Sequence, residues 1–543
     1  MLNYVWLGLL VLGIGVALTT DFIDKGNNKY QNNTPIPVYV NFNEEFIKEA
    51  AKSYDVKLKI KAEVFNKYYK TDVTEDVEEP AKLSYDKAKD KISVYMKIGD
   101  KTPAIWKKMA KVTGKDDDLS GNFVLAKSID SVSAEGNIVL EEISFAHMKD
   151  VTNNALDYAG TAVNIALGLI GIMAMWLGLM KIAEEAGLIK IIAAALKPVT
   201  KFLFPDVPSD HPAVGSIIMN VSANMLGLSN AATPFGLKAM EELDKLNTEK
   251  GTATNAMCTF LAINTAGLTF IPASAIAIRA SMGSSDPAII IGTSVFGATC
   301  ATIVGVTSAK FMEKFPIKKG EFGPWMKSNL KPVAIFTFII ALVSILIATG
   351  IGALIGTALN FINPDLFKEI IQIVSILAIP FLIFSFVTYG LIKKVKVYEK
   401  FIEGAKEGFN VAVRIIPYLV AMLVAIGIFR AGGAMDFLIM ILQPITDLIG
   451  MPAEALPMAL MRPLSGSGSL GVMAEIMSVH GTDSMIGILV STFFGSSETT
   501  FYVIAVYFGS VNISRTRHAL AAGLLADLAG TLGALFIVKQ LFG

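Results

Sequence analysis

Four stretches of this 543-residue chain set polar side chains inside long apolar runs, and these are the residues able to do chemistry. The first is Met219-Asn220-Val221-Ser222-Ala223-Asn224-Met225-Leu226-Gly227-Leu228-Ser229-Asn230. Its counterpart is Arg462-Pro463-Leu464-Ser465-Gly466-Ser467-Gly468-Ser469-Leu470-Gly471. Each is too polar at its middle to face lipid, where backbone and side-chain polar groups find no water. A re-entrant pair of half-helices buried in protein satisfies them instead. The third and fourth stretches interrupt helices: Ile263-Asn264-Thr265-Ala266-Gly267-Leu268-Thr269 ahead of Pro272, and Gly495-Ser496-Ser497-Glu498-Thr499-Thr500. Interruptions at matching places in two repeats point to a transport site. Half-helix N-termini carry partial positive charge there, and Asn, Ser and Thr supply donors and acceptors. The chemistry is recognition of a small polar solute, uncharged or weakly charged.

Three charges stand out. Glu498 lies near the middle of its apolar segment, where a carboxylate costs ~2.5 kcal/mol or more. It must be protonated, paired or facing water. Arg462 is its candidate partner if the hairpin tip and the broken helix converge. Asp527, in Ala526-Asp527-Leu528, is a second candidate proton or cation site. For any single Ser or Thr, service as packing glue between helices explains the residue equally well. Cost and symmetry coincide at Asn264 and Glu498 and favour function there.

Other constellations are discounted. Gly466-Ser467-Gly468-Ser469-Leu470-Gly471 fits G-x-G-x-x-G, but no strand precedes it, so no dinucleotide is expected. Nothing fixes Ser467 against His480 as a hydrolase pair. Four scattered histidines make a metal site improbable. Cys258 and Cys300 read as small apolar fillers. The chain is expected to be no enzyme and to carry no cofactor.

These residues need a membrane scaffold, and the composition provides one. Hydrophobic residues make up 53% of the chain, and charged residues only 17%, against ~25% for a soluble protein. Residues 22–150 hold 43 of the 94 charges. A multi-pass membrane protein with one soluble domain follows, and a soluble enzyme is excluded. Basic and acidic residues balance at 47 each, so no nucleic-acid surface is expected.

The run Tyr4 to Leu18 reads as a retained transmembrane helix, with a signal peptide as the alternative. Residues 22–150 read as a compact, mostly β domain. Its strands include Val56 to Lys61, alternating with period two, Ile92 to Met96, and Ile138 to Ile143, with turns such as Lys115 to Asp118. Spans are expected near 156–180, 252–280, 287–310, 332–356, 369–392, 409–430, 485–508 and 519–541. Lysine clusters at 310–331 and 393–406, with Arg515 and Arg517, fall on one side if the two hairpins re-enter. That parity puts the N-terminus in the cytoplasm and 22–150 outside.

The chain also repeats itself. Leu196-Lys197-Pro198-Val199-Thr200 matches Leu442-Gln443-Pro444-Ile445-Thr446, Ala186-Gly187 answers Gly432-Gly433, and Pro212 answers Pro457. An odd number of spans between copies makes the repeats inverted. The expected fold is an all-α multi-pass protein of two inverted repeats, each with a re-entrant hairpin and a broken helix. Its parts are a first helix (1–21), the extracytoplasmic domain (22–150), a first repeat (151–315), a linker with an extra helix (316–368) and a second repeat (369–543).

The stretches Asp210-His211-Pro212 through Asn220, Ala223 to Gly227 and Asn230 to Leu243 resemble bacterial spore maturation A proteins. Val397-Tyr398-Glu399, Glu403 to Phe409, Arg462 to Gly468 and Phe494 to Thr500 resemble spore maturation B proteins. Both belong to the nucleoside-recognition, or gate, group, similar in plan to concentrative nucleoside transporters. The resemblance implies a bacterial cytoplasmic membrane and a solute site at 220–230, Asn264, Thr265, 465–469 and 496–500. The strict nucleoside-transporter motifs are not reproduced, so the substrate does not carry over. The two families are fused here, and the domain at 22–150 interrupts the first. A non-transporting envelope or spore maturation factor, recruiting a wall-related partner through 22–150, is the alternative. A ferrous-iron pathway lacks cysteines at the polar centres. The partners expected are the lipid bilayer and a small polar solute, with a homo-oligomer and an envelope protein left open.

Overall fold

The computed structural model describes residues 2–45, 53–86, 91–113, 118–227, 229–314, 322–328, 330, 331, 334 and 364–543. The span expected at 332–356 and most of the Lys115 to Asp118 turn lie outside them. The chain divides into two compact units. One comprises Leu7–Leu156 with Gly427–Asp436; the other comprises Met1–Trp6, Asp157–Ile426 and Phe437–Gly543.

Helix α1 (Leu2–Gly26), which belongs to the smaller unit from Leu7 onward, is apolar over Trp6–Gly26 and long enough to cross a bilayer. Six antiparallel strands follow: β1 (Ile36–Phe42), β2 (Ser53–Ile60), β3 (Val77–Asp86), β4 (Lys91–Lys97), β5 (Asp118–Ser128) and β6 (Ser133–Leu140). Each pairs with the next and β6 returns to β1, closing a barrel that leaves no free edge. The period-two pattern does the sorting: Ile36, Val38, Val40 and Phe42 point inward from β1 while the residues between them face out. Outward Lys57 and Lys59 pair across the strand boundary with Glu78 at 2.5 and 3.1 Å. Helices α2 (Ala62–Tyr69) and α3 (Ala104–Val112) fill the interior with Phe65, Tyr69 and Trp106, the Phe65 and Trp106 rings lying 5.2 Å apart. Asp21 of α1 accepts the backbone N–H groups of His147 and Met148 at 2.9 Å each. A buried carboxylate thus sits at the positive end of the next helix and joins the two connections of the barrel.

The larger unit is helical. Its elements are α4 (Ala146–Glu185), α5 (Leu188–Leu203), α6 (Pro212–Met225), α7 (Ser229–Lys245), α8 (Asn255–Ala266), α9 (Ala273–Ser281) and α10 (Ile290–Met312). After α11 (Phe322–Ser328) and α12 (Pro364–Ile392), the order recurs: α13 (Val397–Ala431), α14 (Ala434–Ile449), α15 (Leu456–Met461), α16 (Gly466–His480), α17 (Met485–Gly495), α18 (Thr500–Ser510) and α19 (Ala519–Phe542). Local features repeat too. Gly187 and Gly433 end α4 and α13 with φ of +86° and +82°, and α5 and α14 each contain a proline, Pro198 and Pro444.

Six helical stretches among the described residues are long and apolar enough to cross a membrane. The stretch expected to span near 252–280, with an interruption ahead of Pro272, forms two helices, α8 and α9, each too short to cross alone. The six residues between them, Gly267 to Pro272, are unwound because a left-handed glycine and a proline leave no helical continuation.

Helices α10 and α19 pack closely through small residues. Gly297 lies against Gly530 and Gly533, Ala301 against Gly530, Gly305 against Ala526, and Ala309 clusters with Ala522. Position rises along one helix as it falls along the other, so the two run antiparallel. Glycine and alanine let the backbones approach, which is how helices associate where burial from water provides no force.

Candidate functional site

The two interrupted helices meet at their breaks. Helix α8 is closed by Gly267, whose N–H donates to the Ile263 carbonyl at 3.1 Å with φ +57°. Helix α17 stops at Gly495, and Ser496 to Thr499 run unwound until α18 resumes. The Glu498 N–H donates to the Thr265 carbonyl at 2.7 Å. A Cβ added at Gly267 would stand 2.6 Å from Glu498 Cγ and 3.0 Å from its nitrogen. Only glycine admits both the positive φ and that contact.

Around this junction stand the three charges. Arg462 is 3% exposed and donates through Nη2 to the Ser497 carbonyl. Its guanidinium lies 4.2 Å from the centre of the Phe494 ring, a cation–π contact. Glu498 Oε2 is 3.6 Å from Nη2, an ion pair beyond hydrogen-bond length, and its side chain is 47% exposed. Asp527, by contrast, is buried: Oδ2 accepts from Thr500 Oγ1 at 2.5 Å, while Oδ1 has no hydrogen-bond partner among the described residues.

Helices α6 and α18 supply the rest. Asn224 Nδ2 donates to Asn264 Oδ1 at 3.0 Å, and the Tyr507 hydroxyl donates to the same oxygen at 3.4 Å. Asn220 Nδ2 donates to the Ala232 carbonyl at 2.8 Å and to Tyr507 Oη at 3.3 Å, leaving its own buried Oδ1 unpartnered. One buried network therefore joins α6, α8 and α18. Thr269 Oγ1 donates to the Asn224 carbonyl at 3.1 Å, and Phe501 N–H to the Pro463 carbonyl at 3.1 Å, tying the first break to the end of α6 and the start of α18 to the loop before α16.

Other expected site residues serve the local backbone. Ser465 caps α16 by accepting the Gly468 N–H at 2.9 Å. Ser469 donates to the Ser465 carbonyl at 2.6 Å, Ser222 to Ile218 at 2.7 Å and Ser496 to Thr492 at 2.6 Å. Ser467 is half-buried on the first turn of α16, and Thr265 and Thr499 are buried, Thr499 Oγ1 without a partner. Ser229 and Asn230 begin α7. A cavity between the breaks is lined by Asn224, Thr269, Ser274, Arg462, Ser497 and Glu498, with Phe494 and Pro272 among its walls.

Sequence reasoning missed several participants. Tyr507 and Phe494 sit in apolar runs and carry no signal of their own. Thr293 and Thr492 share a buried hydroxyl contact of 2.9 Å beside the junction. Glu475, alone among apolar neighbours on α16, is fully buried and accepts from the Tyr158 hydroxyl at 3.4 Å; its isolation was a signal. So was that of Arg279, also fully buried. It donates to the Thr482 carbonyl at 2.7 Å, Ser491 Oγ at 3.2 Å and Asp483 Oδ1 at 3.0 Å.

Those contacts join the last turn of α9 to α17 and the loop before it, and Ser284 and Ser285 of the loop after α9 also donate to Asp483. At the other ends, Ala253 N–H donates to the Arg515 carbonyl, and Ser514 and Arg515 N–H groups donate to Gly251, each at 3.0 Å. The loop before α8 thus meets the loop after α18. The start of each broken helix lies beside the end of the other.

A family model described as nucleoside recognition matches residues 166–282 and 412–514. Spore maturation protein B of Bacillus subtilis is 51% identical over 175 residues, 32% of this chain and 98% of that protein. Spore maturation protein A of the same organism is 42% identical over 173 residues, again 32% of this chain and 88% of that protein. The inner membrane protein YjiG of Escherichia coli is 33% identical over 81 residues, 15% of this chain and 53% of its own length. No solved structure matches.

Proposed function

The chain belongs to the nucleoside-recognition family of membrane proteins, with one part similar to spore maturation protein A and another to spore maturation protein B, and from that premise we propose that it is a transporter of a small polar solute. The observation that carries this reading is the meeting of two unwound helix breaks across a polar cavity, bonded through Glu498 N–H and the Thr265 carbonyl. Irregular backbone at membrane depth is tolerated where it lines a cavity. The two copies act as inverted repeats, a reading supported by antiparallel α10 and α19 and by the exchanged loops at the ends of the broken helices. The hairpins α6–α7 and α15–α16 re-enter the membrane, and one hairpin-bearing bundle moves against a scaffold to give alternating access. The protein sits in the cytoplasmic membrane with its N-terminus inside and the barrel outside.

Glu498 and Asp527 couple uptake to a proton or cation. Glu498 faces the cavity beside a fixed guanidinium, and Asp527 offers one buried, unpartnered oxygen. In proteoliposomes, a pH gradient is expected to accelerate uptake by the wild type. The Glu498→Gln, Asp527→Asn double variant should lose that acceleration; transport that keeps it at every pH overturns the coupling.

A second reading is a non-transporting envelope factor. It is favoured by the barrel, a closed sheet with its own continuous core from Tyr30 to Ala146, which suits recruitment of a wall-related partner.

A further inference from the structure

The cavity at the breaks holds a cation that the protein itself leaves half-satisfied. Arg462 is more than nine-tenths buried, and a buried guanidinium is costly unless its five donors are met by acceptors. Here Nη2 is bonded to a neutral carbonyl, Ser497, rather than to a carboxylate. Nε has no partner. Glu498, at 3.6 Å, compensates part of the charge without a hydrogen bond. Phe494 occupies one face of the guanidinium plane, and Arg462 lines the cavity.

A second positive feature borders the same space. Helix α9, nine residues long, starts at the cavity with Ala273 and Ser274, and its N-cap is Pro272, with no side-chain cap. The Ala273 N–H donates to the Ile271 carbonyl at 2.8 Å, but the N–H groups that follow it and the helix dipole favour negative charge. Asn224, Thr269 and Ser274 add neutral donors and acceptors around the cavity.

We infer that this cavity takes an organic anion, a carboxylate- or phosphate-bearing polar solute, whose acid group is received by the free edge of Arg462 and the uncapped start of α9. The inference deepens the transport reading and rests on it for the site. Charge balance also assigns Glu498 a part: an entering acid group competes with its carboxylate for Arg462. A proton on Glu498 removes that competition and lets a singly charged acid and a proton enter together without net charge, which a low-dielectric site favours. A neutral nucleoside would leave the arginine as it stands.

The test reads the cavity's charge without any transport. Ser274→Cys is made in the full chain with Cys258 and Cys300 changed to Ala, and the new thiol is reacted with two methanethiosulfonates, one bearing a sulfonate and one a trimethylammonium group. Rates are normalised to a small thiol in solution. The sulfonate reagent is expected to react faster by on the order of tenfold, a preference that collapses in Arg462→Gln and survives in Arg462→Lys. Addition of nicotinate should slow the reaction more than addition of nicotinamide, its neutral counterpart of similar shape. Faster reaction with the ammonium reagent, an unchanged ratio in Arg462→Gln, equal slowing by the two ligands or by neither, or no reaction with either reagent overturns the inference. Such a failure leaves the uptake assays to decide transport separately.

Discussion

At the scale of single residues, Gly267 and Glu498 carry the junction. Gly267 is required twice, for its φ of +57° and because a side chain would strike Glu498. Gly267→Ala is therefore expected to push the breaks apart, costing ~1–3 kcal/mol of stability and abolishing uptake, where Gly215→Ala, on an open helix face, does neither. Thermal unfolding in detergent and uptake by the same preparations check both halves. The polar residues at the breaks were legible because polar atoms inside apolar runs are costly and therefore conspicuous. Which of them face a solute was not. A serine bonding its own helix, as Ser222, Ser469 and Ser496 do, has the same one-letter signature as one lining a cavity. Tyr507 left no trace, because aromatic residues are ordinary in apolar helices and its hydroxyl matters only through Asn220 and Asn264.

At the scale of elements, the interruptions and the recurring order of helices could be read from Gly, Pro and matched motifs. The cross-contacts could not, since Arg279 and Asp483 are 204 positions apart. They also behave unequally. Arg279 is fully buried while the Asp483 side chain is 42% exposed. Removing the carboxylate strands a buried cation, whereas removing the cation leaves a carboxylate that water and Ser284 and Ser285 still solvate. Asp483→Ala should thus destabilise by about 3 kcal/mol or more, and Arg279→Gln by only about 1–2 kcal/mol. The reverse order of melting temperatures would mean that the loops are held by something other than this pair.

At the scale of the whole molecule, the period-two strand at Val56 to Lys61 disclosed a β region within residues 22–150, where charge is concentrated, and β2 spans Ser53–Ile60. Closure into a barrel was not legible, because pairing of β1 with β6 depends on register between strands nearly 100 residues apart. The barrel core and the helix breaks lie in different units, so deletion of 22–150 separates the two functional readings. Transport predicts that the shortened protein, shown to be folded by its melting profile, still moves solute. Recruitment predicts that it inserts normally and loses its role in the cell.

The central claim is that the junction of the two breaks binds and passes a solute. It is met most directly by uptake of labelled nucleosides, bases and small polar acids into proteoliposomes, with Glu498→Gln beside the wild type. Saturable wild-type uptake of at least one of these solutes is expected, lost or severely reduced in the variant. Saturable uptake that Glu498→Gln leaves unchanged, or none by correctly inserted wild-type protein, would contradict it.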